Sequence, residues 1–117
     1  MTDADRVQLS LDEVDALTRR CLEASGADAT NAAAVARTVT AAERDRAVSH
    51  GLFRLPGYCA SLRSGKVDGK ARPTVRDLAP GVVQDDGRNA FAPLAREIRR
   101  EPLIERTKRQ GIAPLAL

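Results

Sequence analysis

Apolar residues recur at helical spacing through the first 64 residues, and this pattern limits the fold more than any other feature of the sequence. Alanine supplies much of this apolar surface, whereas the 117 residues include two Phe, one Tyr and no Trp. Small side chains at helical spacing predict helices whose backbones approach one another closely. The first segment shows the spacing at Leu11, Val14, Leu17, Cys21 and Leu22.

The first two helical segments begin with residues that favour a helix start. Ser10 and Glu13 form a capping-box pattern, in which each side chain accepts a hydrogen bond from the other residue's amide. Asp28 or Thr30 can cap the second helix in a similar way. Together with the periodicity, these signals predict helices at about residues 10–25, 29–47 and 51–64.

The pattern changes after the third helix. Two short segments, at about residues 74–78 and 82–85, have the composition of strands, and the turn sequence APG separates them. A fourth helix is predicted at about residues 91–110, where Pro102 favours a kink or a break. An apolar run at residues 112–117 is typical of a buried strand. Helices followed by these strands predict a mixed α/β fold.

The final segment, IAPLAL, has few neighbours to pair with. A buried strand needs hydrogen-bonding partners at its edges and cover on both faces. Only two short strands precede this segment in the chain. We therefore expect the polypeptide to be the front part of a larger, here incomplete, fold.

Charge and composition narrow the classes of function. Nineteen Lys and Arg against sixteen Asp and Glu give a formal net charge of +3, which permits an anionic ligand without requiring one. Cys21 and Cys59 lack the spacing of a metal site and are expected to be reduced, buried thiols. No apolar leader or membrane-spanning run is visible, so we expect a soluble cytoplasmic protein with no metal and no membrane partner.

The segment SHGLFRLPGY contains the residues with the clearest chemistry. His50, the only histidine in the chain, is followed at four-residue intervals by Arg54 and Tyr58. In a helix these three residues would form one polar stripe, because each four-residue step rotates only about 40° around the axis. Pro56 interrupts the stripe least if it lies in the first turn of that helix.

These side chains suit a small 2-hydroxy or 2-oxo acid as substrate. An imidazole exchanges a proton near neutral pH, and a guanidinium binds a carboxylate bidentately. Ser49 could orient the imidazole of His50 or donate to the ligand. A hydride leaving the substrate carbon would need a cofactor, since no side chain accepts hydride. A solvated helix face that carries one His and one Arg explains the same spacing without any catalysis.

This segment and its surroundings resemble a known enzyme family. SHGLFRLPGY, preceded by AERDR and followed by SLRSGKVDGKARPTV, is similar to the N-terminal region of the malate/L-lactate dehydrogenase family, type 2. That family also contains ureidoglycolate, sulfolactate and ketimine-reducing enzymes, and its pattern is close to S-H-G-x-x-R-L-P-x-Y. The resemblance extends to the preceding helices and to GIAPLAL. The family usually has a glycine near position 47, where this chain has Ala47.

The resemblance implies a fold and an activity. The fold is the L-sulfolactate/malate dehydrogenase-like fold, which is not a Rossmann fold, and the chain would supply its N-terminal helices and first strands. The activity is NAD(P)-dependent reduction of small 2-oxo acids, or their imines, by homodimers. His50 would be the acid/base, Arg54 would bind the substrate carboxylate, and Ser49 and Tyr58 would line the pocket. The segment that binds NAD or NADP would lie beyond Leu117, so this N-terminal fragment would be inactive alone.

A different class of function also fits parts of the sequence. Residues 96–109 are rich in Arg and Lys, as in a nucleic-acid-binding helix. Interspersed Glu residues favour instead a solvated face with i,i+4 ion pairs, and few aromatic residues are present for base stacking, so no nucleic-acid partner is predicted. The alternative to an enzyme is therefore a non-catalytic helical interaction module, either a degenerate remnant or a basic binding domain.

Overall fold

Helices and a small sheet make up the structure, a computed structural model that describes residues 5–80 and 82–116. The mixed α/β prediction is confirmed. Two predicted features extend outside the described residues, at Gly81 of the turn and Leu117 of the last strand. The elements are α1 (Leu11–Ala24), α2 (Ala29–Arg44), α3 (Leu55–Arg63), β1 (Thr74–Ala79), β2 (Val82–Asp86), α4 (Ala92–Gln110) and β3 (Leu115–Ala116).

The first two helices start at the predicted caps. Ser10 Oγ accepts the amide hydrogen of Glu13 at 3.1 Å, and the Glu13 carboxylate accepts from the Ser10 amide at 3.4 Å. The capping box is therefore present. At the start of α2, Asp28 Oδ1 accepts from the amide of Asn31 at 2.9 Å, so Asp28 rather than Thr30 is the cap.

The second helix ends three residues earlier than the predicted boundary at residue 47. Its last helical residue is Arg44, and Arg46 adopts a left-handed backbone with φ of 59°. The amide of Ala47 donates to the carbonyl of Ala42 at 2.8 Å, and the amide of Arg46 donates to Glu43 at 3.1 Å. This pair of bonds is a Schellman motif, which turns the chain away from the helix axis.

The third helix begins at Leu55 rather than near residue 51. Two 3₁₀ turns, Val48–His50 and Leu52–Arg54, precede it and are separated by Gly51. The backbone of Gly51 is not helical, with φ of −95° and ψ of −135°. Pro56 lies in the first turn of α3, a position that needs no amide hydrogen. The predicted polar stripe along one continuous helix is therefore wrong.

The hydrophobic core lies between the first three helices. α2 contributes several small or β-branched side chains that are fully buried, among them Ala32 and Val39. Cys59 is buried and Cys21 is half-buried, and both are free thiols. The buried cluster consists of Val14, Leu22, Ala27, Ala32, Val35, Val39, Leu55, Cys59 and Leu62.

The sheet has the strand order β1-β2-β3. β1 and β2 form an antiparallel hairpin, and β2 pairs in parallel with β3 through Val83 opposite Leu115 and Gln84 opposite Ala116. Val83 is fully buried, whereas both residues of β3 are half-buried. Within residues 5–80 and 82–116, no strand lies along the second edge of β3.

The fourth helix runs from Ala92 to Gln110 through Pro102, so of the predicted kink or break the structure contradicts the break. Ion pairs hold it on both sides of the proline. Before the proline, Glu97 pairs with Arg37 of α2 at 2.5 Å, and after it Arg106 pairs with Asp77 of β1. These contacts with neighbouring elements hold α4 on both sides of Pro102, where the proline removes one helical hydrogen bond.

The charged side chains of α4 are used more for tertiary contacts than the sequence predicts. Arg99 pairs with the buried carboxylate of Asp85 at 3.1 Å, which joins α4 to β2. The expected i,i+4 pairing occurs between Glu105 and Arg109 at 3.3 Å. A solvated face therefore describes only part of this helix.

We expect Arg46→Gly to stabilise the protein. The left-handed backbone at Arg46 costs a residue with a Cβ atom about 1 kcal/mol or more relative to glycine, and part of this is offset by the greater freedom of glycine in the unfolded chain. Urea unfolding should therefore show a gain of up to about 1 kcal/mol. Ala47→Gly is the matched control, because Ala47 has φ of −82° and gains nothing from glycine. If Ala47→Gly stabilises the protein and Arg46→Gly does not, the left-handed residue of this turn is not Arg46.

The stability that Asp28 contributes should depend on pH. Burial raises the pKa of Asp28, but hydrogen bonds from Asn31 and Arg72 outweigh burial and hold the pKa below its usual value of 3.8. Such a carboxyl stabilises the fold above its unfolded pKa and loses this effect as the pH falls through its folded pKa. Asp28→Asn keeps a cap but loses the 2.7 Å ion pair with Arg72. At pH 7 the melting temperature of Asp28→Asn should be lower than that of the wild type, and this difference should shrink below about pH 4. A difference in melting temperature that does not depend on pH would contradict the prediction.

Candidate functional site

The two 3₁₀ turns bring three of the predicted site residues together. Arg54 Nε donates to the carbonyl oxygen of Ser49 at 2.8 Å. Ser49 Oγ lies 2.9 Å from Nδ1 of His50. All three side chains are exposed. An imidazole, a hydroxyl and a guanidinium are therefore adjacent on one surface, although not through the helical spacing that the sequence suggested.

Arg54 retains two nitrogen atoms for a ligand. Its Nε is bound to Ser49, and its backbone amide donates to the carbonyl of Gly51 at 3.0 Å. Nη1 and Nη2 have no protein acceptor within the part of the chain that the structure describes. A guanidinium held in this way can bind both oxygens of a carboxylate through its two Nη atoms.

The contact with Ser49 orients the imidazole of His50. A hydroxyl both donates and accepts, so the bond to Nδ1 suits the neutral and the protonated ring. The backbone amide of His50 donates to the carbonyl of Ala47 at 2.9 Å, which fixes the turn below the ring. Among the described residues, Nε2 has no hydrogen-bond partner and is the nitrogen available to exchange a proton with a ligand.

Sequence reasoning missed a fourth residue at this site, Glu43. Its Oε1 atom accepts the amide hydrogen of Leu52, the first residue of the second 3₁₀ turn, at 2.7 Å. The same carboxylate occupies the space beside Gly51, where an added Cβ atom would lie 2.1 Å from Oε1. The glycine directly after His50 was the one signal in the sequence, but only the folded chain shows which side chain requires the space.

Tyr58 lies apart from the other predicted site residues. It is half-buried on α3 and packs edge-on against Phe91, with ring centroids 5.2 Å apart and an interplanar angle of 62°. Its ring borders a cavity of about 250 Å³ between α2, α3 and the start of α4. No hydrogen bond in the described ranges joins Tyr58 to Ser49, His50 or Arg54. Its place in a substrate pocket stays a prediction.

Two apolar side chains flank the polar cluster. Val48 is 66 % exposed and Phe53 is 73 % exposed, one in each 3₁₀ turn. Large apolar side chains beside polar groups are typical of binding surfaces. Val48 directly precedes Ser49 and Phe53 directly precedes Arg54, so exposed apolar surface adjoins the polar cluster in both turns.

The described residues contain neither a metal-binding cluster nor a membrane-spanning helix. Across the described ranges, no group of three or more His, Cys, Asp or Glu side chains is placed to hold a metal ion. Of the helices that the structure describes, none has the length and apolarity needed to cross a membrane.

Comparison with protein sequences gives a consistent family. A family model described as malate/L-lactate dehydrogenase matches residues 9–117. A Δ1-pyrroline-2-carboxylate reductase from Ancylobacter novellus is 47% identical over 111 residues, which are 95% of this chain and 33% of that protein. A (2R)-3-sulfolactate dehydrogenase (NADP(+)) from Chromohalobacter salexigens is 39% identical over 111 residues, which are 93% of this chain and 32% of that protein.

Solved structures agree with the sequence comparison. A Δ1-piperideine-2-carboxylate reductase from Pseudomonas syringae superposes with a TM-score of 0.90 and 39% identity, covering 95% of this chain and 33% of that one. A sulfolactate dehydrogenase from Methanocaldococcus jannaschii, at 22% identity and a TM-score of 0.77, shares the fold over 86% of this chain and 29% of that one. The predicted L-sulfolactate/malate dehydrogenase-like fold is confirmed, and the chain spans about a third of the length of these relatives. The family model covers nearly all of the sequence, and the chain belongs to the malate/L-lactate dehydrogenase family.

Proposed function

We propose that this chain supplies the carboxylate-binding and proton-exchanging wall of an NAD(P)-dependent oxidoreductase that acts on small 2-oxo acids or their imines. The observation that carries the proposal is the cluster formed by Arg54, Ser49 and His50, linked by bonds of 2.8 and 2.9 Å. In this proposal the guanidinium of Arg54 is the carboxylate anchor and the imidazole of His50 is the proton carrier. A merely solvated helix face does not explain it, because Arg54 folds back onto the turn that carries His50.

The first step is binding of the substrate carboxylate. The two Nη atoms of Arg54 receive its two oxygens, while the bond from Nε to Ser49 keeps the guanidinium plane from rotating. The carbon next to the carboxylate then lies over the turn that carries His50. Phe53 and Val48, both largely exposed, offer apolar surface to the rest of a small substrate.

The second step is proton transfer. The nicotinamide supplies the hydride when it is bound. In the reducing direction, protonated His50 gives its Nε2 proton to the substrate heteroatom, which is oxygen in a 2-oxo acid and nitrogen in an imine. The neutral ring then keeps its hydrogen on Nδ1, and this N–H donates a hydrogen bond to Ser49 Oγ. In the oxidising direction the same nitrogen takes the proton back.

The names of the relatives favour an imine as substrate. The 47 % identical protein is a Δ1-pyrroline-2-carboxylate reductase, and a 42 % identical protein from Burkholderia multivorans is a Δ1-pyrroline-2-carboxylate reductase as well. A cyclic imine with a carboxylate on the adjacent carbon presents the groups that Arg54 and His50 would bind. We further propose, from the family resemblance, a cytoplasmic homodimer whose NAD- or NADP-binding residues lie outside residues 1–117.

The assay that tests this function uses the complete protein to which the chain belongs. Oxidation of NADPH and of NADH is followed with Δ1-pyrroline-2-carboxylate, Δ1-piperideine-2-carboxylate, pyruvate and 3-sulfopyruvate. We expect turnover of at least one cyclic imine, faster than turnover of the open-chain acids. Absence of turnover with all four substrates and both cofactors would refute the proposal.

Arg54→Lys should weaken substrate use sharply. A lysine has one nitrogen and cannot bind both carboxylate oxygens in the plane of a guanidinium. A lost charged hydrogen bond is worth about 1.5–3 kcal/mol, so kcat/KM should fall roughly ten- to hundred-fold, mainly through KM. Arg109→Lys, on the exposed end of α4, is the matched control and should leave kcat/KM unchanged. Equal kinetics for both variants would remove Arg54 from the site.

His50→Ala should reduce turnover rather than folding. Loss of a general acid typically lowers kcat by about 10²–10⁴. The side chain is exposed, so the melting temperature and the binding of NADPH should change little. Stopped-flow measurement of a single turnover separates proton transfer from product release. An unchanged rate would remove His50 from catalysis, and a variant that fails to fold would show that the histidine serves structure instead.

A further inference from the structure

We propose that Glu43 is a positioning residue for this site: its carboxylate holds the junction between the two 3₁₀ turns and thereby fixes His50 and Arg54 relative to each other. The effect on turnover rests on the proposed function. The anchoring of the turns does not, and it can be measured separately.

The contact is well placed to control both turns. Oε1 of Glu43 accepts the amide hydrogen of Leu52 at 2.7 Å, a short bond to a charged acceptor. Leu52 lies two residues after His50 and two residues before Arg54. Glu43 itself is in the last turn of α2, the helix that contributes most to the buried core. The bond therefore ties an exposed segment to a helix that has six buried side chains.

The Glu43 carboxylate has no second protein partner among the described residues. Within the described residues its carboxylate forms no ion pair, and the Leu52 amide is its one hydrogen-bond donor apart from any water. The neighbouring charges Arg44 and Asp45 pair with each other at 2.9 Å instead. A glutamate kept for solubility or for helix stability would not need to turn back over the following segment.

Gly51 shows that the contact is built into the segment. It is buried, and the three atoms nearest to an added Cβ all belong to Glu43, at 2.1, 2.6 and 2.9 Å. Its φ of −95° is negative, so glycine is required here for space and not for a left-handed backbone. The side chain of Glu43 and the missing side chain at position 51 are therefore complementary.

The anchor reaches the functional groups through a short series of bonds. The amide of Arg54 donates to the carbonyl of Gly51 at 3.0 Å, and its Nε donates to the carbonyl of Ser49 at 2.8 Å. Ser49 in turn orients His50. Release of Leu52 from Glu43 would free the segment that carries both groups, and a displacement of about 1 Å can cost about a hundred-fold in rate.

The first test compares Glu43→Gln with Glu43→Ala in the complete protein. Glutamine keeps an oxygen that accepts the Leu52 amide, and alanine does not. We expect hydrogen exchange of peptide 48–54, measured by mass spectrometry, to accelerate at least ten-fold in the alanine variant only. The kcat/KM should fall about ten- to hundred-fold in the alanine variant and less than about three-fold in the glutamine variant. Equal exchange in wild type and Glu43→Ala would overturn the proposal.

Glu97→Ala is the matched control. Glu97 is a glutamate that also joins two elements, through Arg37 at 2.5 Å, but it lies far along the chain from the two turns. This variant should lower the melting temperature and leave kcat/KM and the exchange of peptide 48–54 unchanged. If it reproduces the kinetic loss of Glu43→Ala, general destabilisation explains the loss and the positioning role is wrong.

A double-mutant cycle with Gly51→Ala tests the complementarity directly. The added methyl group displaces Glu43, so Gly51→Ala alone should match the kinetic loss of Glu43→Ala. The double variant should then be no worse than either single variant, because the clash is removed with the carboxylate. If the losses in kcat/KM of the two single variants multiply in the double variant, the proposal is overturned. If the wild-type protein reduces none of the substrates, the proposed function fails. Hydrogen exchange in the wild type, the two single variants and the double variant still tests whether Glu43 anchors the two turns.

Discussion

Burial of α2 is the constraint on which the other elements depend. Its Ala32, Val35 and Val39 are almost completely buried, and α1, α4 and both 3₁₀ turns contact this helix. Small side chains let the neighbouring helices approach closely, which is how a chain with three aromatic residues forms a dense core. Because α2 is held on several sides, the point at which it ends determines where the following segment lies. That segment carries the candidate site.

The sequence predicted features that depend on local chemistry. The caps at Ser10 and Asp28 follow from side chains that bond to nearby amides, and the α/β class follows from periodicity. The early end of α2 at Arg44 could not be predicted, since the left-handed Arg46 that follows it has no signature of its own in the sequence. The continuity of α4 through Pro102 depends on ion pairs with distant elements, which local rules do not contain.

The candidate site also contains residues that the sequence could identify and one that it could not. Ser49, His50 and Arg54 are close in the sequence, so their chemistry could be recognised there, but the third helix begins only at Leu55, after two 3₁₀ turns separated by Gly51. Glu43 could not be identified, because its role arises from a contact that the turn after α2 creates. The picture that results is a rigid helix, an anchored pair of turns, and two functional groups displayed on them. A basic binding module would need unpaired cationic side chains on α4, but Arg99, Arg106 and Arg109 of this helix are already paired with carboxylates.

The most direct test of this account is a crystal structure of the complete protein with NADPH and a non-reducible carboxylate analogue of the cyclic imine. The account predicts both carboxylate oxygens within about 3.2 Å of the two Nη atoms of Arg54, and Nε2 of His50 within hydrogen-bonding distance of the ring nitrogen. Glu43 should still bind the amide of Leu52. An analogue bound away from Arg54, with His50 and Arg54 left in solvent, would contradict it.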